Sequence, residues 1–523
     1  MKTTHIQNLE DGRTAVTADV CIVGAGAAGI YLATRLTTRG VSVVLLEAGD
    51  NACTDCSSIG MNANMTQDEY SGATSGRAFG IGGTTSLWGG QLVPHTSVDI
   101  QPQERCGFDP WSHIVGVTNR YSAIVKSTLA IADSESSEAI VDKALGSAKA
   151  ALLRNGLEVM SSEFLPFRRK NFKFLLSRLP KEADLQVFLG AVANNYEFDN
   201  SGNGSSHLKF VCAQSGPKFL EVSARSFVVA AGTIESTRIL LEMDAQNGDS
   251  IVRKGAMVGN YLSDHLSLAI ANVATNSLSL ATKLFAPRFN RGRMRTFRFL
   301  EQSSTVGSSR AFSHFIFDND NNGFELAKKI LSGLQSRIIP EITPKEFIGG
   351  ISGLTGLAWN QVALSRLYIP ARTPMHLQLD IEQTPASDNR ITLGNTLDSH
   401  GRPVADISWK INLTDYANIE NAAKRILIDW PGSAAGLPQL NAINERGVGE
   451  KPHDAYHPVG TCRMGEDDES VVSPDLKVHG TSNVFVLSTA VFPSAGSANP
   501  TFGMLCFAER LAETLSAEAR GAV

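Results

Sequence analysis

The chain has 523 residues, of which 42% are hydrophobic and 19% charged, with a formal net charge of −5. This is a globular composition with material for a large core, about three domains at roughly 150 residues each. It excludes a globally basic nucleic-acid binder, and 46 glycines with 20 prolines are too few for a fibrous or low-complexity chain. Seven cysteines, an odd count, do not make a disulfide framework and point to a reducing compartment. Cys53 and Cys56 form a lone C-x-x-C with no second pair at metal-like spacing, so no metal site is expected. No apolar stretch has signal-peptide or membrane-spanning length, and a cytoplasmic location is the expectation.

Residues 19–23 are a short apolar run suited to a strand buried on both faces. Gly24-Ala25-Gly26-Ala27-Ala28-Gly29 follows at once. A helical stretch with Ile30, Leu32, Ala33 and Leu36 then ends at Gly40, and a β-branched strand over 41–46 is closed by Glu47. This strand–turn–helix–strand unit is a dinucleotide-binding arrangement. Gly24 permits the tight turn, Gly26 lets a pyrophosphate approach the backbone, and Gly29 lets helix and strand pack closely. The helix start at Ala27 and Ala28 offers free N–H groups and a positive dipole end to the diphosphate. Glu47, 23 residues beyond Gly24, is placed to bind ribose hydroxyls and disfavours a 2′-phosphate. The unit alone is compatible with FAD or NAD.

Seven of the sixteen residues in 76–91 (GRAFGIGGTTSLWGGQ) are Gly or Ala. That suggests backbone lying against a flat ligand or diphosphate, with a flexible loop as the other reading. Residues 227–231 give a buried strand, Gly232 a turn, and the following stretch a helix. Near the C-terminus, 456–465 hold His457 in a glycine-punctuated segment, and 483–487 are a core strand. Asn499-Pro500-Thr501 then opens a final helix with Asn499 as its expected cap and Met504, Ala508, Leu511 and Leu515 on one stripe.

Two segments imitate other functions. Asp318-Asn-Asp320-Asn-Asn322-Gly323 starts like a calcium loop, but its twelfth position is Lys329 rather than a bidentate Glu, so it reads as a turn. Residues 288–299 hold five arginines, among which Arg291, Arg293 and Arg295 alternate as on one strand face. A solvated or ion-paired face is the plain reading, and docking of an acidic substrate, a membrane surface or an electron-accepting partner the other.

These pieces together resemble the glucose–methanol–choline (GMC) oxidoreductases, FAD enzymes that oxidise alcohols. The matching segments are the glycine motif with Glu47, Gly82-Gly83-Thr84, residues 230–236, residues 258–265, His457-Pro-Val-Gly-Thr-Cys462 and Asn499-Pro500-Thr501. They occur in the family's order over nearly the whole chain, most weakly at 120–180 and 280–370. The resemblance implies FAD as cofactor and His457 with Asn499 as the catalytic pair. On the cofactor side it implies Ala48, Gly83, Thr84, Trp88, Val192, Ala231, Gly232, Ala490, Asn499, Pro500 and Thr501 beside the N-terminal unit. Some sugar-oxidising relatives attach flavin through a histidine just before the tryptophan of the glycine-rich segment. Here that position is Leu87, which has no nucleophile, so FAD is expected to be held non-covalently.

The implied fold is α/β: an FAD-binding, doubly wound, Rossmann-like domain interleaved with an α+β substrate domain built on an antiparallel sheet. The FAD domain is expected from 1–112, 185–270 and 445–523, and the substrate domain from 113–184 and 271–444, with 377–409 in the substrate sheet. The implied reaction is oxidation of an alcohol group on a sugar or sugar derivative. A protein side chain cannot accept hydride, so the flavin must, and His457 would take the hydroxyl proton while Asn499 holds the substrate oxygen. His265 and His376 are the reserve candidates for the base. A hydroxynitrile-lyase-like, non-redox activity on the same fold and a non-sugar alcohol are the alternatives. The electron acceptor is left open among oxygen, a quinone and a protein.

Overall fold

The computed structural model describes residues 1–10, 12–101, 107–132, 135–201, 205–301, 309–318, 365–370, 372–444 and 451–521. The Asn/Asp-rich turn after Asp318 and its Lys329 lie outside them.

Apolar runs form an eight-stranded sheet. Its order is Lys2–His5, Leu185–Leu189, Val43–Leu46, Arg13–Val23, Lys218–Val229, Ser205–Ser215 and Val192–Ser201, with Val484–Val486 also pairing along Lys218–Val229. The central strands are parallel, and the two strands beyond Lys218–Val229 run antiparallel. All four residues of Val43–Leu46 are buried, as a strand covered on both faces requires. The strand that leads into the glycine turn begins at Arg13, six residues before the apolar run. Its early part alternates exposed and half-buried residues, so apolarity alone marks only its inner end.

The helix Ala27–Thr37 packs on Thr501–Ala519, which packs in turn on Pro110–Thr128. Buried Glu509 accepts from Arg35 (2.7 Å), Arg39 (2.6 Å) and Tyr31 (2.8 Å), joining the first and last helices. The last helix is buried well beyond its expected stripe, with Phe502, Leu505, Phe507 and Ala512 also inside.

A second sheet of nine strands is antiparallel throughout. Its main order is Leu440–Ala442, His265–Val273, Met375–Glu382, Ala311–Phe317, Arg293–Glu301, Leu157–Phe164 and Gln91–Leu92. Period-two alternation gives it one apolar face, with Leu268, Phe299, Phe315, Leu379 and Ile381 in a second core. The opposite face carries His265, Ser267, Arg298, Asp380 and Glu382, all buried and all polar.

Two expectations need correcting. Residues 377–409 are not one sheet: Met375–Glu382 joins the nine-stranded sheet, whereas Arg390–Leu397 and Pro403–Ser408 pair with Ala63–Met65 in a separate three-stranded one. The two cores also cross the expected domain limits. Ile114, Val117 and Val125 of the helix Pro110–Thr128, with Phe172 and Leu175, pack into the first core, and the strand His265–Val273 belongs to the second sheet.

Candidate active site

A cleft of about 700 Å³ opens where the parallel strands end, between Gly24, Glu47, Ala230 and Leu487, the place where doubly wound sheets bind their ligands. Gly24 has φ +107°, and a Cβ there would lie 2.6 Å from the Ala230 carbonyl oxygen. A Cβ on Gly29 would lie 1.9 Å from the Gly24 carbonyl oxygen, so helix and turn touch through that glycine. A Cβ on Gly26 would meet nothing within 4 Å. Gly26 caps the helix Ala27–Thr37 without a side-chain hydrogen bond, so the N–H groups at Ala27 and Ala28 face open space. A diphosphate fits that cradle.

Glu47 is buried, and its carboxylate is already engaged. Oε2 accepts from the Ala25 N–H (2.8 Å), and Oε1 from those of Gly49 (2.9 Å) and Gly80 (2.8 Å). Burial pushes its pKa up against the pull of the three amides. Of four acceptor directions, one on Oε2 is left for a ribose hydroxyl. Ala48, Gly83, Thr84, Trp88, Val192, Ala231 and Gly232 also line the cleft, as do Asn499, Pro500 and Thr501. Trp88 is anchored by its Nε1–H on the Lys170 carbonyl (2.7 Å). Leu87 lines the cleft half-exposed. Gly29 and Ala490 do not line it: Gly29 packs behind the turn, and the Ala490 carbonyl accepts from the Cys462 N–H (2.9 Å) behind Thr489.

His457 and Asn499 also line this cleft and meet there, with Asn499 Nδ2 3.0 Å from His457 Nε2. His457 Nδ1 lies 3.1 Å from Nδ1 of His265, whose Nε2 lies 2.8 Å from the Gly496 carbonyl oxygen. A carbonyl only accepts, so His265 Nε2 carries hydrogen and its Nδ1 is the acceptor when the ring is neutral. His457 must then donate from Nδ1, which leaves Nε2 as a bare lone pair toward Asn499. Both rings are held neutral. Burial, then the neighbouring His265, pushes His457 down to about 3, and burial pushes His265 down to about 4.

The backbone is arranged around this pair. The His457 N–H donates to both Asp264 oxygens (2.9 Å each), and Tyr70 Oη donates to Asp264 (2.7 Å). Asp264, His265 and His457 bring ligand-type atoms within 4.8 Å of one another, but all are taken by these bonds. Tyr456, just before His457, has φ +62°, an uncommon left-handed conformation for a bulky residue. The Gly496 N–H donates to Glu382 (3.1 Å) and the Ser497 N–H to Asp99 (2.7 Å), so buried carboxylates hold the loop that leads to Asn499.

Asn499 is not the helix cap. Pro500 takes that position, the helix runs Thr501–Ala519, and no side chain caps it. The Asn499 side chain turns instead to His457 and to Arg298, whose Nη2 donates to its Oδ1. Of the reserve histidines, His265 stands behind His457, whereas His376 pairs with Asp318 (3.4 Å) away from the cleft.

The arginine-rich strand is not a docking face. Arg293 and Arg295 are buried and share Glu163 at 2.9 and 3.1 Å. Arg298, on the opposite face of the strand, reaches the active-site loop. Its position escapes the 291/293/295 alternation, and only a strand pairing that puts 298 toward the cleft reveals it. Asp264 and Gln91 lie in segments the sequence singled out, but nothing local there shows their roles, and the Gly496 turn carries no signal.

Residues 385–508 match the GMC oxidoreductase family, and residues 22–74 match an NAD(P)-binding Rossmann-like domain. The 6'''-hydroxyparomomycin C oxidase of Streptomyces lividus is 22% identical, over 98% of this chain and 94% of the relative. The paromamine 6'-oxidase of Streptomyces fradiae is 22% identical over 96% and 91%. A C-glycoside 3-oxidase of Microbacterium trichothecenolyticum is 31% identical over 25% of each chain. The crystal structure of pyridoxine 4-oxidase from Mesorbium loti shares the fold, with a TM-score of 0.59, 16% identity and coverage of 95% of this chain and 99% of that one. No helix among the described residues is long and apolar enough to cross a membrane. A Rossmann-like unit and a C-terminal segment that matches the GMC oxidoreductase family line one cleft, which supports a GMC-family FAD enzyme.

Proposed function

We propose that this protein oxidises an alcohol group of a sugar or sugar derivative, with His457 as proton acceptor and Asn499 as the partner that orients the substrate oxygen. The observation that carries this reading is the hydrogen-bond chain from Gly496 through His265 to His457. It leaves Nε2 of His457 unprotonated at the cleft, beside an amide N–H. A hydroxyl oxygen there can donate its proton to Nε2 and accept from Nδ2–H of Asn499. The ring's low-dielectric surroundings keep the base neutral. FAD, when bound, supplies the hydride acceptor.

FAD is held without a covalent bond. Leu87 offers no nucleophile where it lines the cleft, and the diphosphate cradle at Gly26 with Glu47 supplies the grip. The FAD domain is read from 1–112, 185–270 and 445–523 and the substrate side from 113–184 and 271–444, amended by the helix Pro110–Thr128 and by Phe172 and Leu175, which pack on the FAD side, and by the strand His265–Val273, which joins the substrate sheet. The sugar assignment is supported by the C-glycoside and paromamine oxidases among the relatives. A cytoplasmic location accords with six free cysteines among the described residues.

The test is an anaerobic screen of the FAD-loaded protein over sugars, sugar derivatives and simple alcohols. Bleaching of the flavin band by a sugar-type alcohol is expected. Admission of air then shows whether oxygen restores it or another acceptor is needed. A band that stays unbleached with every alcohol, while a cyanohydrin is cleaved, would defeat the proposal in favour of a lyase.

A further inference from the structure

We propose that Arg298 is a positioning residue of this site: it locks the amide of Asn499 with Nδ2–H toward His457, and its uncompensated charge favours the negative charge that grows on the substrate oxygen as the proton leaves. The proposal rests on the reading of His457 and Asn499 as the reacting pair.

Arg298 lies on the strand Arg293–Glu301 and is 3% exposed. Its Nη2 donates to Asn499 Oδ1 and to Gln91 Oε1 (2.8 Å). Its guanidinium stacks over Phe312, with Cζ 4.0 Å from the ring centroid. Nε and Nη1 are buried and have no hydrogen-bond partner. No carboxylate pairs with it among the described residues. Asp380, whose field it feels, is occupied by Ser267 and by His314 at 3.1 Å. Arg293 and Arg295, by contrast, have Glu163. Burial lowers the Arg298 pKa to about 10, which still leaves it charged at neutral pH.

A buried cation without a counter-ion is costly, and a fold that keeps one does so where the charge acts. Two consequences follow from its contacts. An amide can face either way, but a guanidinium only donates, so Oδ1 of Asn499 must face Arg298 and Nδ2 must face His457. The cation also polarises that amide, which strengthens the N–H offered to the substrate oxygen. Asn499 thereby transmits a charge that never touches the substrate.

The charged and titratable groups facing His457 are His265 and Asp264 from one segment, Asp380 from Met375–Glu382, and Arg298. Removing Arg298 takes away a cation that disfavours protonated His457. The acid limb of flavin reduction should therefore move to higher pH.

The experiment is stopped-flow anaerobic flavin reduction across pH, with a substrate from the screen, in Arg298→Met, Arg298→Lys and His457→Ala. Arg298→Met should keep its FAD, reduce it on the order of 10²-fold more slowly at saturating substrate with KM changed less than about fivefold, and shift the acid limb up by about one pH unit. Arg298→Lys, which keeps the charge, should recover most of the rate and the parental limb. Arg298→Met within threefold of the parent with an unmoved limb, or Arg298→Lys as slow as Arg298→Met, would overturn the proposal. If Arg298→Met does not retain FAD, Arg298→Lys decides: near-parental reduction supports the role, and a rate as low as that of Asn499→Ala overturns it. His457→Ala separates the two levels. Parental reduction there defeats the reading of the pair itself, whereas a slow His457→Ala beside a fast Arg298→Met defeats only Arg298.

Discussion

The amide of Asn499 faces Nε2 of His457 at 3.0 Å although 42 positions separate the two in the chain. The contact exists because two loops end at one place. The His457 loop is held by Asp264, and the Asn499 loop by Glu382, Asp99 and His265. Four buried groups that do not themselves react thus set the distance between two that do, which is the supporting shell a positioned base needs.

His457→Ala should keep its FAD, because the cofactor cradle is built from other residues, at Gly24, Gly26 and Glu47. Hydride transfer should slow by about 10²–10⁴-fold, the usual worth of a positioned base. The loss belongs in the anaerobic reduction rate and not only in reoxidation. A variant that bleaches at near-parental speed would move the base elsewhere, with His265 next in line.

Much of this was legible in the sequence, and the reason is local. The glycine turn, its helix and Glu47 sit within one stretch, and each glycine has a distinct steric setting: Gly24 at positive φ, Gly29 against the Gly24 carbonyl, Gly26 beside open space. The strand Met375–Glu382 also shows its two faces openly, Met375, Leu377, Leu379 and Ile381 against His376, Gln378, Asp380 and Glu382. Arg298 was hidden because its role depends on pairing with Leu157–Phe164 and on the distant Asn499 loop. The cap assigned to Asn499 failed for a related reason. Asn is a good cap in isolation, but a guanidinium and an imidazole outbid the helix start for its side chain.

The two buried histidines should make acid destabilising below about pH 6.5, offset in part by Asp264, whose burial raises its carboxyl to about 8. His457 and His265 are held at about 3 and about 4, below the ordinary value near 6.5. The unfolded chain therefore takes up protons first as pH falls. The neutral-ring stability is fully present above about pH 6.5 and is lost as pH drops toward 4, by up to about 1.4 kcal/mol per pH unit per histidine. Denaturant midpoints from pH 7 to 4.5 should fall steadily, and less steeply in His457→Ala. A midpoint flat from pH 7 to 5 would contradict this.

Acid precipitation of the holoprotein should leave all the flavin in the supernatant, because Leu87 stands half-exposed at the cleft with no nucleophile to attach it. Yellow colour in the washed pellet would mean a covalent link from another side chain.

The glycine motif allows folding and cofactor binding to be separated by single substitutions. At Gly26 an added Cβ meets nothing within 4 Å, and the residue's φ of −81° suits any side chain. Gly26→Val should therefore fold with a melting temperature close to that of the FAD-free parent, yet fill the space meant for the diphosphate and purify with little or no flavin. At Gly29 the same Cβ would lie 1.9 Å from the Gly24 carbonyl oxygen. Gly29→Val must then push the helix Ala27–Thr37 away from the strand Arg13–Val23 and lose stability even without cofactor, by about 1–3 kcal/mol for an overpacked contact. Thermal melts and flavin content of the two variants, each compared with the stripped parent, check both halves. If Gly26→Val binds FAD as the parent does, the diphosphate does not lie at this helix start.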